Sequence, residues 1–156
     1  VTTTGFETIT LPVQSDADNY TIDWGDGSTD TYTATEAPEH LYINSGEYTI
    51  SFTGTFTQLI LEGQTKLQAV QQWGNRKWTS MEKMFKDCTN LNSIPSQATD
   101  LSMCTNMSEM FSNANSFNQS IGSWNVSNVT DMTNMLNGVQ LSTGDTPMSD
   151  VESKNN

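Results

Sequence analysis

Positive charge is missing from the first part of this chain. All six basic residues, Lys66, Arg76, Lys77, Lys83, Lys86 and Lys154, lie beyond residue 65, and they face 18 acidic side chains for a formal net charge of −12. Such a balance repels phosphate backbones and anionic lipid, which excludes nucleic acid and makes a membrane surface a poor partner. Long apolar runs are lacking too. No stretch approaches the roughly 20 residues needed to span a bilayer, so no membrane insertion is expected of this segment. No charged-then-apolar leader stands at Val1, and the 156 residues read as part of a longer chain. Hydrophobic residues make up only 34% of the sequence, which limits any single core and points to one domain or two small ones.

Metal ligands are scarce as well. His40 is the only histidine and no CxxC pair exists, so the pattern argues against zinc-type ligation and no metal ligand or cofactor is assigned. The two cysteines, Cys88 and Cys104, each fall where neighbouring repeats carry an apolar residue. They read as packed thiols used as small hydrophobes, with a disulfide between adjacent coils as the open alternative.

What the chain does have is a repeat. Met81, Met84, Phe85 and Cys88 recur 26 residues later as Met107, Met110, Phe111 and Ala114, and a further 25 residues on as Met132, Met135, Leu136 and Val139. A fixed period of about 20–29 residues with apolar positions locked to it predicts a leucine-rich-repeat solenoid. Within a repeat the apolar residues sit at i, i+3, i+4 and i+7, the spacing of one helical stripe, and Leu91 and Ile94 then form an extended run ending at Pro95. Each of about three coils is therefore expected to be a short helix plus a short strand.

Residues 1–62 carry a different pattern. Alternation through Glu7, Ile9 and Leu11, through Tyr20 to Trp24 and through Glu47 to Phe52 predicts short β-strands, and Asp26–Gly27 predicts a tight turn. Together they predict a small antiparallel β-sandwich, joined through Phe56, Leu59, Ile60 and Leu61 so that it caps the first coil. The expected fold class is thus α+β: a β-sandwich over 1–62, an α/β solenoid over 63–144, and a polar, disordered tail or linker over 145–156.

Two stretches resemble known families. Asp23–Trp24–Gly25–Asp26–Gly27–Ser28, with His40–Leu41–Tyr42 and Gly46–Glu47–Tyr48–Thr49–Ile50, is similar to PKD-like β-sandwich domains. The Trp78–Ser80–Met81–Met84–Phe85 pattern and Phe117–Asn118–Gln119 through Trp124–Asn125–Val126 to Met132 resemble the BspA-like leucine-rich-repeat surface proteins of bacteria. Those resemblances imply an extracellular or cell-surface location and adhesion.

Candidate chemistry is thin. Asp23, Asp26 and Asp30 invite a calcium reading, but their spacing departs from an EF-hand loop and a turn-forming role competes with it. His40 resembles the structural histidine of PKD-like domains, and no nucleophile–base–orienter set is suggested, so no catalytic residue is assigned and no enzyme is expected. Outward strand positions Gln68, Gln71, Asn92, Ser93, Asn118 and Gln119 are the candidate ligand-binding face. They suit an extracellular protein, peptide or glycan bound by hydrogen bonds. Arg76, Lys77, Lys83 and Lys86 form a second candidate patch or a solvated face. The alternative function is a structural spacer, or a targeting domain within a larger secreted protein.

Overall fold

A computed structural model describes residues 1–11, 14–16, 19–33, 36–97 and 99–139. The expected closing strand at Leu141, the end of the 63–144 unit and the 145–156 tail lie outside the described residues.

The N-terminal part is built from short strands: β1 (Thr2–Thr4), β2 (Glu7–Thr10), β3 (Gln14–Ser15), β4 (Asn19–Asp23), β5 (Thr29–Thr33), β6 (Glu39–Tyr42), β7 (Ser45–Glu47), β8 (Ser51–Thr53) and β9 (Leu59–Ile60). All their pairings are antiparallel: β1 with β7, β2 with β6, β3 with β9, and a three-stranded sheet in the order β5-β4-β8. Period-two patterning explains which way β4 faces: Tyr20 and Ile22 point inward at 2% and 0% exposure, while Asn19 and Asp23 point out. Trp24 follows them into the core, and its carbonyl accepts the Tyr42 hydroxyl at 2.7 Å, so the buried phenol is satisfied. The Asp26–Gly27 turn forms as expected, with Gly25 and Gly27 at φ of 81° and 96°.

The repeat region overturns the expectation of an α+β class. Among the described residues there is no α-helix; the chain is all-β with small antiparallel sheets, and the predicted leucine-rich-repeat α/β solenoid is corrected to stacked, helix-free turns. Met81, Met84, Phe85 and Cys88 do face inward, each no more than 2% exposed. They do so from consecutive tight turns.

The backbone hydrogen bonds give the physical reason. In the tier over residues 81–88, the N–H groups of Met84, Lys86 and Cys88 bond locally to the carbonyls of Met81, Lys83 and Phe85, three residues back. The alternate N–H groups, of Met81, Lys83, Phe85 and Asp87, leave the tier and donate to Asn106, Ser108, Met110 and Ser112 at 2.8–3.0 Å. The next tier repeats this, with Met107, Glu109, Phe111 and Asn113 donating to Asp131, Thr133, Met135 and Asn137. A helix would consume every donor internally, i to i−4, and leave nothing to join the tiers.

Turning back after every three-residue bond requires left-handed backbone. Lys83, Glu109 and Asn134 have φ of 53°, 54° and 55° at the third position of the first turn, and Asp87, Asn113 and Gly138 have 58°, 58° and 77° at the third position of the second. Each tier opens on a side chain that mimics a turn: Ser80 Oγ accepts the Glu82 N–H, Asn106 Oδ1 that of Ser108, and Asp131 Oδ1 that of Thr133. Isolated parallel bridges link Ser80 to Asn106 and Asn106 to Asp131.

Stacking aligns like side chains into columns. Phe85 and Phe111, equivalent positions of adjacent tiers, lie 5.6 Å apart, and within its own repeat Phe111 packs on Phe117 at 4.3 Å, nearly parallel at 8°. Cys88 and Cys104 are free and fully buried, packed as small hydrophobes, and burial pushes the Cys88 thiol up to about 12. No helix among the described residues is long and apolar enough to cross a membrane.

The two parts share one buried cluster that runs from Ile9 and Trp24 through Phe56 and Leu61 to Met135. At the junction β9 pairs with β3, and immediately after it the Leu61 and Gly63 N–H groups donate to Met84 and Lys86 of the first tier at 2.9 and 2.8 Å.

The turn geometry predicts an inversion of ordinary helix behaviour. Gly138→Ala places a methyl 2.9 Å from Asn113 Oδ1 on a left-handed backbone and should destabilise by about 1–2 kcal/mol. Asn134→Gly should be neutral or stabilise by up to about 1 kcal/mol. In a helix both signs would reverse, so chemical denaturation of the two variants decides between the conformations.

Candidate functional site

Where the β-unit meets the first tier, the two surfaces leave a cavity of about 450 Å³. Its rim carries Glu47, Thr49, Gln68, Gln71 and Gln72; its inner wall is formed by Phe56, Leu61, Trp73, Trp78, Met84 and Phe85. The β-unit supplies one side through the segment between β7 and β8, and the glutamine-rich run over 64–72 supplies the other.

Arg76 fixes the distance between the sides. Its Nη2 donates to the Phe52 carbonyl at 2.9 Å, its Nη1 to the Gly54 carbonyl, and its guanidinium lies 3.6 Å over the Phe56 ring. Burial lowers its pKa from the usual guanidinium value, yet arginine remains a cation. Gln71 Nε2 reaches Thr49 Oγ1 across the gap at 3.3 Å. The indoles are mostly enclosed: Trp78 Nε1 donates to Thr99 Oγ1 at 3.0 Å, whereas Trp73 Nε1 is buried and bonds to nothing among the described residues.

The sequence-derived candidates divide. Gln68 and Gln71 line the cavity. Asn92 and Ser93 lie on the neighbouring tier, away from it, where the Asn92 N–H donates to Gln68 O and Ser93 O accepts from Val70, both at 2.9 Å. Asn118 is exposed one tier further on. Gln119 turns its carboxamide onto the Ile94 backbone, Nε2 to O at 2.9 Å and N to Oε1 at 2.8 Å. Thr49, Gln64 and Gln72 were missed; the run of glutamines ahead of Trp73, placed between two differently patterned segments, was the signal for the two glutamines.

The basic cluster is taken apart in the same way. Lys86 lies 2.6 Å from Glu109 and 3.5 Å from Glu62, and the bond to Glu109 raises its pKa. Lys83 reaches Glu82 at 3.6 Å and Glu109 at 4.0 Å, so both lysines face acids of their own and neighbouring tiers.

Two aspartates of the first motif act in turns and the third holds an indole. Asp23 Oδ1 accepts the Gly25 N–H at 2.9 Å, Asp26 Oδ1 accepts the Ser28 N–H at 3.1 Å, and Asp30 Oδ2 accepts the Trp24 indole at 2.9 Å. Among the described residues no group of three or more His, Cys, Asp or Glu side chains could hold a metal. His40 stacks on Trp24, 4.8 Å between ring centres, and its Nε2 lies 2.7 Å from Asp26 Oδ2. Ser28 Oγ approaches that same nitrogen at 3.5 Å but donates to Asp26 at 2.6 Å. A serine–histidine–aspartate relay needs both ring nitrogens, and this cluster engages one.

Two of these contacts can be tested by substitution. Arg76→Lys keeps the charge but cannot fork onto both carbonyls, and should cost about 1–3 kcal/mol in denaturant unfolding; an unchanged midpoint would remove Arg76 as the clamp. The hydrogen bonds from Ser28 and then His40 hold the Asp26 carboxyl down at about 2, below its ordinary value. A depressed folded pKa stabilises above the unfolded value and is lost as pH falls through the folded one. Between about pH 4 and pH 2 the wild-type melting temperature should therefore drop more steeply than that of Asp26→Asn, measured by thermal denaturation across that window.

No curated protein and no solved structure matches this chain. Residues 46–154, which include the rim and almost all of the cavity's inner wall, match the family described as "Mycoplasma protein of unknown function, DUF285", and the chain belongs to that family.

Proposed function

We propose that this chain is a non-catalytic ligand-binding module of a cell-surface or secreted protein, holding an extracellular protein, peptide or glycan in the junction cavity. The observation that carries the reading is the cavity itself. At about 450 Å³ it falls in the size range of small-ligand sites, about 300–1,000 Å³, and it joins an apolar wall to a few convergent polar groups. Carboxamides and hydroxyls bind through hydrogen bonds without changing charge near neutral pH. The surface location rests on the likeness of the tier sequences to bacterial surface proteins.

A spacer role is favoured by a different observation, the buried cluster that continues unbroken from the β-unit into the third tier. The two readings separate in a binding screen of the purified chain against arrayed glycans and extracellular-matrix peptides, in calcium and in EDTA. The binding reading expects a saturable hit that the combined Gln68→Ala, Gln71→Ala and Gln72→Ala variant weakens about tenfold or more while its melting temperature is retained. A blank with every probe would leave the spacer.

A further inference from the structure

We infer that the junction cavity takes an extended polypeptide segment, seating one apolar side chain inside and gripping the backbone amides beside it with the carboxamides of Gln68, Gln71 and Gln72. The inference rests on the ligand-binding reading and narrows it to one class of ligand.

The first support is how this chain already uses glutamine. A carboxamide presents a donor and an acceptor side by side, the complement of a backbone N–H and C=O. Gln119 makes that double contact with Ile94 at 2.8 and 2.9 Å, in place of a strand neighbour, and Gln64 Nε2 donates to the Thr10 carbonyl at 3.0 Å. Gln68, Gln71 and Gln72 are all exposed. Gln71 makes one long contact to Thr49, and the carboxamides of Gln68 and Gln72 have no partner among the described residues. Three equipped but largely unused grips stand at one rim.

The second support is what the wall offers. Saccharide recognition relies on an open aromatic face, but Trp73 and Trp78 are only 9% and 3% exposed, with their rings set against each other and against Phe85 and Phe56. The partly exposed apolar groups in the lining are Val1, Tyr48, Ile50, Phe52, Leu67 and Val70. Aliphatic and aromatic groups of this kind accept an aliphatic or aromatic side chain. The orphan Trp73 N–H in the same wall is a buried donor with no partner among the described residues, and an unmade bond of that kind costs stability. A peptide carbonyl reaching it would recover that loss.

Charge sets the flanks. Arg76 is spent on the Phe52 and Gly54 carbonyls and the Val1 nitrogen on the Tyr48 carbonyl at 2.7 Å, which leaves Glu47 as the carboxylate at the rim of a chain with net charge −12. Lysine or arginine on either side of the apolar residue is the complementary arrangement.

The test is an NMR titration of the full, nitrogen-15-labelled chain with blocked Lys-Ala-Leu-Ala-Lys, with the same peptide carrying serine for leucine, and with the leucine peptide methylated on its leucine nitrogen. Chitin and cellulose oligosaccharides form a parallel arm. Saturable shifts of the Gln68, Gln71 and Gln72 side-chain amides and the Trp73 indole with the leucine peptide, about tenfold weaker for the other two, are the expected result. Equal affinity for the leucine and methylated peptides overturns the backbone grip. No shift with any peptide up to about 1 mM, with saturable shifts from an oligosaccharide, overturns the peptide assignment and leaves the ligand-binding reading standing. Silence in both arms overturns both.

Discussion

Every second backbone N–H in a tier belongs to the tier below it. That single allocation, Met81, Lys83, Phe85 and Asp87 donating outward while Met84, Lys86 and Cys88 bond locally, determines most of what the repeat sequence must contain. Buried donors have to be satisfied, and sharing them between local turns and the adjacent tier forces the left-handed residues that a helix would never need. Hence Asp87, Asn113 and Gly138 occupy one repeat position, all of them residues that reach positive φ at low cost. The same allocation fixes the inward stripe, because a turn of this kind still returns its first, fourth, fifth and eighth residues to one face. It also brings Glu109 of the second tier and Glu62 of the segment ahead of the first within ion-pair distance of Lys86.

The junction cavity is the other side of this constraint. Tiers match tiers because their donors and acceptors share a period, but the β-unit has antiparallel strands and cannot offer the same ladder along its whole face. Contact is therefore made at separate points. Leu61 and Gly63 supply the ladder at one end, the Thr79 N–H donates to the Thr57 carbonyl at 3.0 Å, and the Thr57 and Thr79 hydroxyls meet at 2.9 Å. Arg76 spans the remainder. Between these points the backbones of 47–52 and 68–72 are held apart, and the space between them is the cavity.

Much of this was legible in the sequence, and the unread parts have physical causes. The strand alternation in Tyr20–Ile22, the Asp26–Gly27 turn and the repeat spacing all act over short range and appear as predicted. The packed-thiol reading of Cys88 and Cys104 also stands. The helix did not, because positions i, i+3, i+4 and i+7 are produced equally by an α-helix and by two consecutive turns with left-handed third residues. The recurrent Asp87, Asn113 and Gly138 column distinguishes them. Taken as a helix it would place a poor helix former in the last turn of every repeat; taken as a turn it is the residue required. Asn92 and Ser93 are exposed on their tier, but the cavity depends on where the β-unit lands, a long-range relation that periodicity does not encode.

A site whose walls come from two units has a thermodynamic consequence that neither unit would have alone. The rim residues Glu47 and Thr49 belong to the β-unit, while Gln68, Gln71 and Gln72 belong to the approach to the first tier. Under the proposed ligand-binding role, a ligand bound between them favours only the docked arrangement, so its binding free energy adds to the junction contacts of Arg76 and Thr57. The continuous buried cluster then carries that stabilisation to both sides. If the proposed role holds, substitutions at the junction should for the same reason weaken ligand affinity without touching a ligand atom, because part of the binding energy is then used to hold the two walls at the spacing that Arg76 otherwise maintains.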